Sequence, residues 1–299
     1  GESGPGDDVA LGTLELDRIA LTATVSEVLV ELPVARGTEV KKGRVLAKLD
    51  DRVQLAQVAR SRAEAAQAEA HLDKLKNGAR PQDIAAARAK VAGAEATLRE
   101  TQITLVRNQR LLKSKSVSQA ELDKSLALRD AAKARLDEDQ DNLDELLAGT
   151  RVEDIQEAEA ELAAARAELE HQEALLAELT IRATRDGVLD NLPWNLGERV
   201  TVGSPVVILL AGAEPYARVY VPEPHRVKIN QGDRLKVRVD GLDQAFDGQV
   251  RWISSEPAFT PYYGLNESDR SRLVYLAEVQ LPAAAADLPS GVPAQVQMP

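Results

Sequence analysis

Residues 52–180 hold almost no glycine or proline and carry an apolar repeat that occurs twice, and this run dictates most of what the chain can become. Ile84, Val91, Leu98, Leu105 and Leu112 recur every seven residues, with Ala87, Ala94, Thr101 and Asn108 three places on. Later, Ile155, Leu162, Leu169 and Leu176 do the same, accompanied by Ala158, Ala165, Gln172 and Leu179. Steps of three and four keep these side chains on one side of a helix, and a strict period of seven implies a left-handed coiled coil. Alanine at the second seam position lets a partner helix approach closely.

The seam is interrupted once in each arm, and the interruptions match. Gly78-Ala-Arg80-Pro-Gln-Asp83-Ile84 is echoed by Gly149-Thr-Arg151-Val-Glu-Asp154-Ile155. Leu72 to Ile84 is 12 residues, and so is Leu143 to Ile155, so the phase slips equally in both copies. Glycine closing one helix, and proline or acidic residues opening the next, are ordinary stop and start signals. Folding the chain back at 113–117 lays the two breaks side by side. The expectation is an antiparallel helical hairpin over 52–180, with breaks near 77–81 and 149–152. Arms of about 60 residues would reach roughly 90 Å.

The flanks have a different texture. Residues 11–50 and 181–299 alternate β-branched and polar residues, with Gly and Pro at turns. Immediately before the hairpin stands Gly37-Thr-Glu-Val40-Lys-Lys-Gly43-Arg-Val-Leu46, and after it Gly197-Glu-Arg-Val200-Thr-Val-Gly203-Ser-Pro-Val206. Both are G-x-x-V-x-x-G-x-x-[LV], with apolar residues facing in and Gly at tight turns. Two such half-motifs resemble the quasi-symmetric β-sandwich of lipoyl and biotinyl carrier domains, here split by the hairpin. Beyond them, Tyr216 to Gln280 reads as a barrel of alternating strands.

A split lipoyl domain, an inserted α-hairpin and a following β-barrel resemble the HlyD-like membrane fusion protein family over nearly the whole chain. The implied fold is α+β, multi-domain and elongated. A flexible tether would cover 1–10, and the first strand and first lipoyl half-motif 11–51. The hairpin would take 52–180, the second half-motif 181–212, and a β-barrel with a short membrane-proximal remainder 213–299. Family members carry R-x3-L-x6-S at the hairpin tip, and Arg107, Leu111 and Ser118 fit that spacing at every position. The resemblance implies that these residues dock the tip onto a TolC-like outer-membrane channel. Each also has a structural reading: Arg107 as a solvated face residue, Leu111 as packing beside seam residue Leu112, and Ser118-Gln-Ala-Glu121 as a helix capping box. Ala258-Phe-Thr-Pro261, the stretch ending in Arg272-Leu-Val-Tyr275, and the paired breaks look like adaptors that partner ABC transporters. An RND or major-facilitator pump remains an alternative. The resemblance further implies a homo-oligomer of six copies, in the periplasm, held to the inner membrane by a lipid or an N-terminal helix lying outside this chain. Two departures stand out. The strand at 9–24 and the stop at Pro299 leave little for a full membrane-proximal domain, and Glu27 stands where the family commonly has Gly.

Charge and chemistry narrow the rest. The net charge of −11 disfavours nucleic acid, whose phosphates need a basic face. Without cysteine there is no disulfide framework and no thiolate metal site. The longest apolar stretch, Val206 to Ala211, is far below the ~20 residues of a membrane span. His71, His171 and His225 lack metal-ligand spacing, and Asp137-Glu-Asp-Gln-Asp141 reads as an exposed helix face. No nucleophile-and-base constellation is visible, so no catalytic activity is expected. No cofactor is expected either: where carrier domains place a modifiable lysine stands Asp50-Asp51-Arg52, with Lys48 two residues early. Two rivals of other classes stay open: a lipoate- or biotin-bearing carrier, and a coiled-coil scaffold that recruits a cell-wall enzyme.

Overall fold

The doubled heptad run forms four helices in the computed structural model, which describes residues 8–259 and 273–299. They are α1 (Arg52–Asn77), α2 (Pro81–Lys113), α3 (Gln119–Ala148) and α4 (Val152–Glu178). Val53–Leu175 make one compact unit, and Gly1–Arg52 with Leu176–Pro299 make the other.

In the helical unit, burial follows the seam. Val91, Ala94, Leu105, Ala158 and Leu162 are buried, and the remaining seam residues of α2 and α4 are at least half-buried. The opposing rows come from α1 and α3: Val58, Ala65 and Leu72, and Ser125, Ala132 and Asp139, each seven apart. Asp139 corrects the expectation of a wholly exposed acidic face. It sits at a seam position with its side chain only 7% exposed, 3.5 Å from Arg135, while Asp137, Glu138 and Asp141 are exposed. The two breaks do face each other, since a Cβ built on Gly78 would lie 4.0 Å from the Cα of Gly149. Both glycines have positive φ, Pro81 opens α2 where its missing N–H costs nothing, and the Thr150 hydroxyl donates to the Leu75 carbonyl at 2.6 Å. Arg151 grips Asp154 through two bonds of 3.0 and 3.1 Å across the first turn of α4. Across the arms, Gln54 donates to Gln172, and Arg62–Glu173 and Arg166–Glu69 pair on the surface. Exposed pairs of this kind contribute little, about 0–1 kcal/mol each.

The second unit is built from β1 (Val9–Thr22), β2 (Leu29–Glu31), β3 (Glu39–Val40), β4 (Val45–Leu49), β5 (Thr180–Arg182), β6 (Gly187–Asn191), β7 (Pro205–Pro222), β8 (Arg234–Val239), β9 (Ala245–Ile253), β10 (Ala258–Phe259), β11 (Leu273–Gln280) and β12 (Pro293–Gln297). Its first core gathers Leu29, Val40, Leu46, Leu49, Leu189, Val200, Val206 and Leu209, residues from both sides of the hairpin insertion. The halves match bond for bond. Gly37 N–H donates to Leu189 O at 2.7 Å as Gly197 N–H does to Leu29 O at 2.8 Å; Gly43 to Ala183 repeats as Gly203 to Ala23. All four glycines hold φ between 81 and 92°, a region where a Cβ is strained, and Val40 and Val200 are buried between them.

The second core fills a barrel. Strand order β11-β9-β8-β12-β1-β7 closes because β7 pairs back to β11, so its six strands leave no free edge between them. Leu14, Val219, Val237, Phe246, Val250, Val279 and Val296 pack inside. Long strands β1 and β7 run through both sandwich and barrel. Their register shifts twice: Glu15 pairs with Tyr216 but Asp17 with Ala211, so residues 212–215 bulge out, and a smaller shift lies between Leu21 and Thr22. Three boundaries differ from expectation. Val9 and Ala10 already belong to β1, with Ala10 fully buried, and Lys113 is still helical. Beyond the strands read over 216–280, Pro293–Gln297 supply β12, which pairs with β1 and β8. Residues 1–7 of the expected tether, and 260–272 within the 258–275 segment, lie outside the described residues.

Candidate functional site: the hairpin tip

The tip is ordered by local hydrogen bonds on both sides of the turn. Lys115 N–H donates to Leu112 O and Ser116 N–H to Leu111 O, both at 2.9 Å, and Lys115 has φ +56°. This pair of bonds with a left-handed residue is a Schellman ending, here with lysine where glycine is usual. The Ser114 hydroxyl donates to the Leu111 carbonyl as well, at 3.0 Å. On the return, Ser118 is the N-cap of α3 and its hydroxyl accepts from Glu121 N–H at 3.2 Å. The capping role expected of Ser118 is therefore present.

Arg107 and Leu111 lie one turn apart on α2. Arg107 is exposed, and among the described residues nothing forms an ion pair or hydrogen bond with its guanidinium. Leu111 and Leu112 are both half-buried, so Leu111 contributes to the hairpin end without being consumed by it. Beside Arg107, a shallow groove of about 430 Å³ includes Arg99, Glu100, Ile103 and Thr104, and Ile103 is 56% exposed. The arrangement can offer a planar cation and an apolar contact to a carbonyl- or carboxylate-bearing helical partner. Nothing in it suits bond-making chemistry.

One tip feature escaped the sequence reading. Asn108 Nδ2 donates to the buried Ser125 hydroxyl across the two arms, and that hydroxyl donates on to Glu121 O at 3.0 Å. Asn108 was visible as a seam residue. Its partner is masked because Ser125 belongs to a row poor in large apolar residues.

Elsewhere, the chemistry is structural. Lys48 lies inside β4, 3.6 Å from Asp51, and does not occupy a hairpin apex. The Arg52 side chain and backbone hydrogen-bond the Asp50 carboxylate and hold it below the usual carboxylate range. A cavity of about 320 Å³ opens where β1 and β7 pass from sandwich to barrel. There Asp17 pairs with Arg185 at 3.1 Å and Arg251 at 3.4 Å; Arg251 pairs with Glu278 at 3.0 Å and lies 3.7 Å over the Tyr216 ring. Burial pushes the Tyr216 phenol above its ordinary value. These charges satisfy one another. His71 and His171 are exposed, and among the described residues no cluster of His, Asp or Glu is arranged to hold a metal ion.

Comparison with known proteins agrees with this architecture. A family model described as the YbhG alpha-helical hairpin domain matches residues 49–178. The chain is 30% identical over 289 residues to a UPF0194 membrane protein of Yersinia pseudotuberculosis serotype O:3 (strain YPIII), covering 96% of this chain and 88% of that relative. Among solved structures it is similar to MacA from Actinobacillus actinomycetemcomitans, with a TM-score of 0.55 and 20% identity over 97% of this chain and 78% of that one. It is also similar to the membrane fusion protein Spr0693 from Streptococcus pneumoniae R6, with a TM-score of 0.57 and 14% identity over 97% and 98%. The last two are likenesses of fold.

Proposed function

The chain belongs to the UPF0194 membrane protein family and has the fold of the periplasmic adaptors, or membrane fusion proteins, and on that footing we propose that it couples an inner-membrane pump to a TolC-like outer-membrane channel. The observation that carries the proposal is the tip itself. A guanidinium at Arg107 that is unpartnered among the described residues stands one turn from half-exposed Leu111, with Ser118 starting the return helix, at the turn of a hairpin inserted between two lipoyl-like halves. Arg107 supplies the fork that a channel's helical turns would accept, and Leu111 supplies the apolar contact beside it. The pump is of the ABC type in this reading, supported by the paired G-x-R-x-x-D-I breaks in the hairpin. Six copies side by side would bundle their hairpins into a conduit. The energy would come from the pump, and the adaptor acts by geometry alone.

Capture of a detergent-solubilised TolC-like channel by the immobilised chain tests the docking step. Arg107→Asp is expected to weaken capture by at least about tenfold, because it sets a carboxylate against groups chosen to accept a cation. Equal capture by the parent and Arg107→Asp would remove Arg107 from the interface and with it the basis of the proposal.

A further inference from the structure

The three tip residues are divided between two helices, Arg107 and Leu111 on α2 and Ser118 at the N-cap of α3. Their mutual placement therefore depends on the axial register of α2 against α3. Leu105 and Leu112 supply large seam side chains near the tip, but Ala87, Ala94 and Ala132 along the same interface are small and alike and add little to fixing register. The connecting turn does not fix it alone, since Lys115 holds a left-handed conformation unfavourable for a residue with a Cβ, and unwinding the last turn of α2 would lengthen the loop.

We infer that Asn108 and Ser125 are positioning residues that select one register of the hairpin tip. Asn108 Nδ2 donates to Ser125 Oγ, Ser125 Oγ donates to Glu121 O at 3.0 Å, and Glu121 N–H donates to Ser118 Oγ at 3.2 Å. A chain of bonds thus links the residue after Arg107 to Ser118 across the arms. Ser125 is 5% exposed and keeps its bond to Glu121 O within α3 in any register, but a slipped register takes away the one donor its buried oxygen accepts from across the arms and leaves the part-buried Asn108 amide without that acceptor. Loss of this bond across the arms disfavours that register by about tenfold in population. A polar residue at one seam position specifies coiled-coil pairing in the same way, at a cost in stability. The value of this register for function rests on the docking reading above.

The test uses the full chain, whose lack of cysteine allows two spin labels at Lys90→Cys on α2 and Leu128→Cys on α3, both exposed positions. In the parent, a single narrow interspin distance is expected. Asn108→Leu with Ser125→Ala should add a second population displaced by about 5 Å, one helical turn, while the unfolding midpoint holds or rises. The exchanged pair, Asn108→Ser with Ser125→Asn, should restore one distance. Channel capture should fall about tenfold in the first variant and recover in the exchanged one. A single unchanged distance together with lowered stability in the Leu/Ala variant would overturn the inference and reduce the pair to ordinary packing. If the distances respond as expected while Arg107→Asp leaves capture intact, the register role stands and the docking reading fails.

Discussion

Lys115 occupies the left-handed position that ends α2, where a side chain costs about 1 kcal/mol relative to glycine. Lys115→Gly is expected to raise stability by about 0.5–1 kcal/mol in urea unfolding of the hairpin. Gly12 is the opposite case, since a Cβ there would lie 1.8 Å from Arg218 O in the paired strand. Gly12→Ala should destabilise the barrel by roughly 3 kcal/mol or more, as neither strand can withdraw without breaking the ladder. Neither residue announces its cost in sequence, because the clash at Gly12 comes from a strand about two hundred positions away. Tyr216 gives a pH signature. Burial raises its phenol in the folded state, so its contribution is intact below about pH 10 and is lost as pH rises through the folded value. Tyr216→Phe should flatten the decline of the unfolding midpoint above about pH 10.

Among elements, legibility tracked how strongly each marks its buried face. The α2 and α4 rows carry Ile, Val and Leu at every seventh place and were readable at once. The facing rows hold Ser61, Ala65, Ser125, Ala132 and Asp139, which an apolar pattern search passes over although all are buried. The lipoyl-like halves were readable because four glycines must adopt positive φ around a buried valine, and that demand fixes residue type at fixed spacing. Strand β12 was not, since Pro293–Gln297 is short and acquires its role only by pairing with β1, at the other end of the chain. The tip residues were legible only through resemblance, and the Asn108–Ser125 link only through the structure. Asp139 yields a prediction at this scale. It places a carboxylate in the seam with one exposed arginine as partner, so Asp139→Leu should stabilise the helical unit by about 1 kcal/mol, read from its unfolding midpoint.

At the scale of the whole molecule, the hairpin is an insertion that the β unit can close without. Lys48 of β4 pairs with Thr180 of β5, and Leu49 N–H donates to Leu179 O at 2.8 Å, so the insertion begins and ends at adjacent points. Replacing residues 53–175 by a short Gly-Ser linker should leave a folded β unit with a single cooperative transition by circular dichroism. An unfolded product would mean that the sandwich core needs the helices. The central claim is that the tip meets an outer-membrane channel. The most direct measurement is crosslinking in cells from a single cysteine at Lys115, with a second chain labelled at Lys90 on the hairpin side as control. The account predicts a channel adduct from Lys115→Cys that disappears with Arg107→Asp, and none from Lys90→Cys. No adduct from the tip of an exported, folded protein, or equal adducts from tip and side, would contradict tip docking.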